Sequence, residues 1–109
     1  MSYRLAVATC PDVATAESIA AVLVRGRLAA CVNILPGARS VYEWEGKVEV
    51  DEECVLLMKT RQDRFRALEE AVVANHPYEL PEVIAVSIED GLAGYLKWID
   101  EVVTPEESQ

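Results

Sequence analysis

Two stretches of helical apolar spacing each lie between strand-like runs, and this order limits the chain to few folds. Arg4 to Cys10 is a short apolar run closed by Pro11 and Asp12, the pattern of a mostly buried strand. Asp12 is placed to cap a helix over about 13–25, in which Ala16, Ile19, Ala20, Leu23 and Val24 form one face and Gly26 supplies the stop. Strand-like sequence runs from Leu28 to Trp44, and Glu53 to Thr60 carries an apolar run, Cys54 to Met58, that suits a strand covered on both faces. Thr60 and Asp63 have capping-box spacing before a second stripe of Phe65, Leu68, Val72 and Val73, which Pro77 ends. Val83 to Glu89 is β-branched, and Asp90 can cap a last helix that turns Leu92, Tyr95, Leu96, Ile99 and Val103 inward. Right-handed crossovers then favour an α+β, ferredoxin-like split βαβ sandwich with one antiparallel sheet and two helices on one face. It is expected to occupy residues 1–109 as one domain, with 104–109 as a frayed tail.

The second strand is too long for that body. Residues 30–44 fully extended would reach ~50 Å at ~3.3 Å per residue, against a radius of gyration of about 13 Å for a compact chain of this size. Pro36-Gly37 bends it and marks it as an edge strand, and Glu45-Gly46 turns it into a hairpin. A projecting two-stranded arm carrying Tyr42, Trp44, Val48 and Val50 is marginal in water and needs a neighbour.

Nineteen acidic against ten basic residues give a net charge of −9. That balance opposes binding to nucleic acid or to anionic membranes, both of which need a cationic surface. Three cysteines without CxxC spacing indicate neither a disulfide framework nor a zinc ribbon. Reduced thiols and the absence of a signal h-region together lead to the expectation of a cytoplasmic protein. No Gly-rich phosphate loop, GxSxG or HExxH is present, so binding is expected rather than catalysis.

Several uncommon words occur in one order: Leu28-Ala29-Ala30-Cys31-Val32-Asn33-Ile34, Pro36-Gly37, Ser40-Val41-Tyr42, Trp44-Glu45-Gly46-Lys47, Lys59-Thr60, His76-Pro77-Tyr78-Glu79-Leu80-Pro81-Glu82 and Tyr95-Leu96-Lys97-Trp98. Together they resemble the CutA divalent-cation-tolerance family from about Val7 to Ile99. The resemblance implies a ferredoxin-like homotrimer, similar in architecture to the PII signalling proteins, in which hairpin arms extend neighbouring sheets. It also implies metal tolerance through a bound divalent metal, copper foremost. The alternative within the same resemblance is a PII-like signalling or scaffold module that recruits a partner or small ligand at its trimer interface, its metal binding incidental.

His76, the only histidine, reads either as a hydrogen-bonding loop residue or as a metal ligand completed by other groups or by symmetry mates. In family members with copper binding the ligands resemble this histidine and a cysteine near the end of the first strand. Cys10 lies one position later than that cysteine, an offset that turns a strand side chain to the other face, and Asn75 stands where some relatives have a second histidine. Cys31 reads as a buried small hydrophobe or as a soft ligand, and Cys54 as core. Lys59 reads as a solvated or salt-bridged lysine, able to pair with Glu49 or Glu79. If subunits close a cleft there, Cys31, Glu49, Lys59 and Tyr78 are its convergent polar groups. The acidic run Glu49 to Glu53 lacks EF-hand spacing and reads as a solvated edge.

Overall fold

A computed structural model describes residues 2–105. Its elements are β1 (Tyr3–Cys10), α1 (Val13–Arg25), β2 (Cys31–Trp44), β3 (Lys47–Arg61), a 3-10 turn (Gln62–Arg64), α2 (Phe65–Ala74), β4 (Val83–Ile88) and α3 (Ala93–Val103). The four strands form one sheet in the order β2-β3-β1-β4, and every pairing is antiparallel. This is the expected split βαβ arrangement. Of the expected frayed tail, 106–109 lie outside the described residues, whereas Thr104 is anchored by an Arg61 Nη1 donor at 3.2 Å.

The core lies between one sheet face and the two crossover helices. Ala6, Ala8 and Cys10 of β1 alternate inward beside Cys54, Leu56 and Met58 of β3, under Ala16, Ile19 and Leu23 of α1 and Leu68 and Val72 of α2. Small side chains on the central strand let both helices approach it closely. Asp12 caps α1 as expected, its Oδ1 accepting the Thr15 N–H at 2.8 Å. Gly26 follows the helix with φ −82°, and the left-handed residue is Arg27 at φ 59°. A Cβ at Gly26 would stand 3.1 Å from the Val22 carbonyl oxygen, a tight contact that a larger residue would relieve only by shifting that carbonyl slightly.

Several local expectations are corrected, among them the inward placing of Val24 and Tyr95, which are 41% and 40% exposed. Thr60 does not cap α2; it is buried in β3 and donates to the Leu28 carbonyl at 2.7 Å, while Asp63 holds Arg61 instead. Val73 lies half-exposed, outside the buried stripe. Asp90 does not cap α3, which begins after Leu92, and Leu92 is 79% exposed rather than turned inward. A tertiary contact displaced the local signal at Thr60 and a later helix start displaced it at Asp90 and Leu92, whereas Val73 falls one position beyond the face that buries Leu68 and Val72.

The other sheet face is only partly covered. α3 lies over its end, where Ile99 and Val103 bury Ala30 and pack on Tyr3. Beyond α3 the apolar side chains of Val7, Leu35, Val55, Leu57, Ile84 and Val86 share this face, and Leu35, Ile84 and Val86 are 45–53% exposed. The Cys54–Met58 run is therefore covered on one face only within a single chain.

The arm is present and long, and the molecule measures 48 × 32 × 21 Å. β2 and β3 stay paired from Cys31/Lys59 out to Trp44/Lys47, with a register shift between Leu35 and Ala38 where Gly37 takes φ +83°. Glu45 and Gly46 both have positive φ, the signature of a tight two-residue hairpin turn. Directly opposed residues share a face, so Tyr42 and Trp44 lie with Glu49 and Lys47, whereas Val48 and Val50 lie on the opposite face with Glu43 and Val41. The four expected interface residues are thus divided between two faces, and the arm is apolar on both sides.

Acid should weaken the fold at two named carboxyls. The Asp12 carboxyl is held below the usual aspartate range by the Thr15 N–H, and that of Asp63 by the Arg61 guanidinium. A depressed folded value means the contribution is present above the unfolded value near 4 and lost as pH falls through the lowered folded values. The urea midpoint is expected to fall from pH 5 to pH 2 more in the wild type than in an Asp12→Asn/Asp63→Asn variant; equal slopes would remove both groups from the acid response.

Candidate functional site

His76 follows α2 and folds back onto the end of β1. Its Nε2 lies 2.7 Å from the Thr9 carbonyl oxygen, and its Nδ1 accepts the Tyr78 N–H at 3.1 Å. A carbonyl can only accept, so the proton belongs on Nε2, and both ring nitrogens are engaged. Both ring nitrogens thus make the contacts of a hydrogen-bonding loop residue within one chain. The Tyr78 ring stands against it, centroids 4.7 Å apart.

Cys10 neighbours Thr9 in sequence but points to the opposite face. It is fully buried in the helix-covered core, where its thiol donates to the Asp12 carbonyl at 3.5 Å, and burial, followed by the nearby Cys54, pushes it up to about 11. Cys31 sits at the other end of the sheet, paired with Lys59. His76, Cys10 and Cys31 are therefore not brought together within one chain. Among the described residues no group of three or more His, Cys, Asp or Glu side chains could hold a metal ion. The donors of one chain do not fit a closed metal site.

The four cleft residues also separate. Lys59 Nζ lies 3.8 Å from Cys31 Sγ and donates to Asn33 Oδ1, so it pairs with neither Glu49 nor Glu79. Glu49 stands on the arm opposite Tyr42, and the Tyr78 hydroxyl donates to Glu53 Oε2 at 2.7 Å. Only Cys31 and Lys59 meet in one chain, because the hairpin carries Glu49 away from the sheet that holds them.

What does converge is a groove of about 770 Å³ between the arm and the loop after His76, lined by Thr9, Tyr42, Trp44, Glu53, Tyr78 and Glu82 among others. Glu53 is 7% exposed, which corrects the solvated-edge reading for this one member of the acidic run. The Tyr42 hydroxyl donates to Asp51 and is pushed up to about 12 by that bond foremost. Tyr78 is raised by burial and then by Glu53. Glu53 was the residue sequence reasoning missed. Its strand parity matches Val55 and Leu57 and was a usable signal, but the flanking Asp51 and Glu52 masked it.

Likeness to known proteins agrees with this geometry. The family described as CutA1 divalent ion tolerance protein matches residues 4–102. A CutA homolog of Xenopus laevis is 48% identical over 102 residues, 94% of this chain and 68% of that protein. The chloroplastic CutA of Arabidopsis thaliana is 50% identical over 91 residues, 84% of this chain but 50% of that protein, and the chain spans 57% of the mouse relative. Among solved structures, CutA of Xylella fastidiosa superposes with a TM-score of 0.93 at 47% identity, covering 95% of this chain and 100% of that one. A CutA of Archaeoglobus fulgidus described as periplasmic has a TM-score of 0.91 at 41% identity, covering 94% and 99%.

These relatives correct the expected location. Proteins of this fold are described as chloroplastic and as periplasmic, so three unpaired-spacing cysteines and an N-terminal strand do not assign the cytoplasm. No helix among the described residues is long and apolar enough to cross a membrane. The sheet order, the projecting arm and the match over nearly the whole sequence lead to one conclusion: the chain belongs to the CutA1 divalent ion tolerance protein family.

Proposed function

We propose that the chain works as a homotrimer that binds divalent metal, copper foremost, and so contributes to metal-ion tolerance. The trimer reading is carried by one observation: the uncovered sheet face and the arm expose Leu35, Val41, Val48, Val50, Ile84 and Val86, each at 45% or more. An apolar surface of that extent marks a face that another subunit covers. Closing three copies also lets the Glu49 of one arm approach the Lys59 and Cys31 of another subunit, uniting groups that one chain keeps apart. Native mass spectrometry is expected to give a trimer whose melting temperature rises with concentration, since folding and assembly are linked. A monomer at micromolar concentration would overturn this.

Metal binding in this reading is weak and shared between chains. A Cu(II) ion reaching His76 must displace the Thr9 or the Tyr78 hydrogen bond, and among the described residues no group of three or more metal-ligating side chains surrounds it. His76→Ala is expected to weaken Cu(II) binding, read by calorimetric titration of untagged protein, whereas Cys54→Ala leaves it near the wild-type value. Superimposable curves for wild type and His76→Ala would remove His76 from the site.

The groove beneath Tyr42 and Trp44 favours a second reading, a PII-like module in which a small ligand binds beside the arm and metal is incidental. A ligand whose binding is unchanged by chelator and abolished by Tyr78→Ala would support that reading.

A further inference from the structure

Cys10, the last residue of β1, is the register partner of Cys54 on β3. Opposed residues of an antiparallel ladder send their side chains to one face with Cα atoms about 4.5–5.5 Å apart, inside the roughly 4.4–6.8 Å that a disulfide spans. Both side chains belong to the same core cluster, 0% and 3% exposed, and both are free thiols. Cys31 is removed from them, at the far end of β2 beside Lys59. We propose that Cys10 and Cys54 form an oxidation site, which a small hydroperoxide converts into an intrachain disulfide that clamps β1 to the root of the arm.

The position gives the bridge a consequence. Cys54 follows Glu53, and Glu53 pairs with Ala38 on the arm side of the register shift in β2. A covalent link there would tie the place where the arm leaves the sheet to the strand end that His76 also holds.

The chemistry balances with one hydroperoxide. One sulfur of the pair, as thiolate, attacks the terminal peroxide oxygen; the O–O bond breaks, the alkoxide leaves as an alcohol with that thiol's proton, and a sulfenic acid remains. The second sulfur attacks the sulfenic sulfur, the S–S bond forms, and hydroxide departs with the second thiol's proton as water. Two thiols and one hydroperoxide thus give one disulfide, one alcohol and one water, the two electrons lost by sulfur entering the broken O–O bond. Burial holds the Cys10 thiol protonated, so the reaction proceeds slowly, through local opening of the end of β1.

Trypsin separates the three cysteines, placing Cys10 in peptide 5–25, Cys31 in 28–39 and Cys54 in 48–59. The intact protein is treated with tert-butyl hydroperoxide, alkylated with N-ethylmaleimide and digested without reductant. The expected product is 5–25 joined to 48–59, two hydrogens lighter than the separate peptides, with 28–39 alkylated. Oxidised protein should melt about 10 °C higher than reduced protein, and dithiothreitol should reverse the shift.

Chain statistics make the test specific. The spacings from Cys31 to either other cysteine are about half that from Cys10 to Cys54, so an unfolded chain would close the shorter loops first. Cys31→Ala, outside the core cluster, should keep the same link. Predominant linkage to 28–39, sulfinic acid without a link, or both thiols unchanged after prolonged exposure would each overturn the proposal.

Discussion

Trp44→Ala is expected to dissociate the proposed trimer at concentrations where Trp98→Ala leaves it intact, although each removes one indole. Within one chain the two rings are equally exposed, 41% and 40%, so local burial cannot separate them. What separates them is what can still cover each. Trp98 keeps a neighbour from its own helix, Tyr95, with ring centroids 5.4 Å apart. Trp44 ends the arm opposite Lys47, with Tyr42 next on its face, and across the groove it faces only the loop that carries Tyr78. In the proposed trimer the remaining exposed part of the Trp44 ring is covered by another subunit. Truncating a buried aromatic costs about 3–5 kcal/mol, and a threefold assembly loses that at every interface. Sedimentation of both variants across a concentration series is the measurement. A trimeric Trp44→Ala with unchanged melting, beside a dissociated Trp98→Ala, would show that the arm lies outside the interface.

The second large effect is expected at Arg61. Its side chain is 11% exposed, yet it is the polar hub that fastens α3 to the sheet. Nε and Nη2 donate to Asp63 at 3.0 and 2.5 Å, Nη1 donates to Thr104, and Asp100 Oδ1 lies 3.7 Å from Nε. The other Asp100 oxygen accepts the Tyr3 hydroxyl at 2.6 Å, whereas Oδ1 is buried and makes no hydrogen bond, so the guanidinium is its electrostatic compensation. Removing one partner of a buried ion pair typically costs about 3–5 kcal/mol. Asp63 is 59% exposed and its share is screened by water, which lowers the expectation for Arg61→Ala to about 2–3 kcal/mol. Urea unfolding reads the loss, and hydrogen exchange should locate it in α3. Adding Asp100→Asn should recover part of it by removing the uncompensated charge. Unchanged exchange in α3 would show that its apolar contacts, Ile99 and Val103, suffice to hold it.

Local patterns made most of the architecture legible. The i, i+3, i+4 spacing of Ala16, Ile19 and Leu23 marked the buried side of α1, because a helix turns every 3.6 residues wherever it is placed. The arm was legible from length alone, and its turn from Glu45-Gly46, because few residues tolerate two successive positive φ values. The composition also carried the balance of charges. Where local signals misled, as at Thr60 and Leu92, a distant carbonyl or a later helix start took over from the sequence neighbour.

The candidate site was legible as residue types and not as a constellation. Strand alternation says that Cys10 and Cys31 each point to one side, but which residues they meet depends on register between strands far apart in sequence. Only the ladder set Cys10 against Cys54 and Cys31 against Lys59. The role of His76 likewise waited on the fold, since its tautomer is decided by the Thr9 carbonyl, contributed by a strand 67 positions earlier. The burial of Glu53 likewise involves a distant loop, whose Tyr78 hydroxyl donates to its Oε2. The elements, their order and the projecting arm were readable in the sequence, because these follow from short-range periodicity, turn chemistry and chain length. The tertiary structure decided which polar groups and thiols face one another, because that follows from long-range register and crossover geometry, to which single-residue patterns are blind.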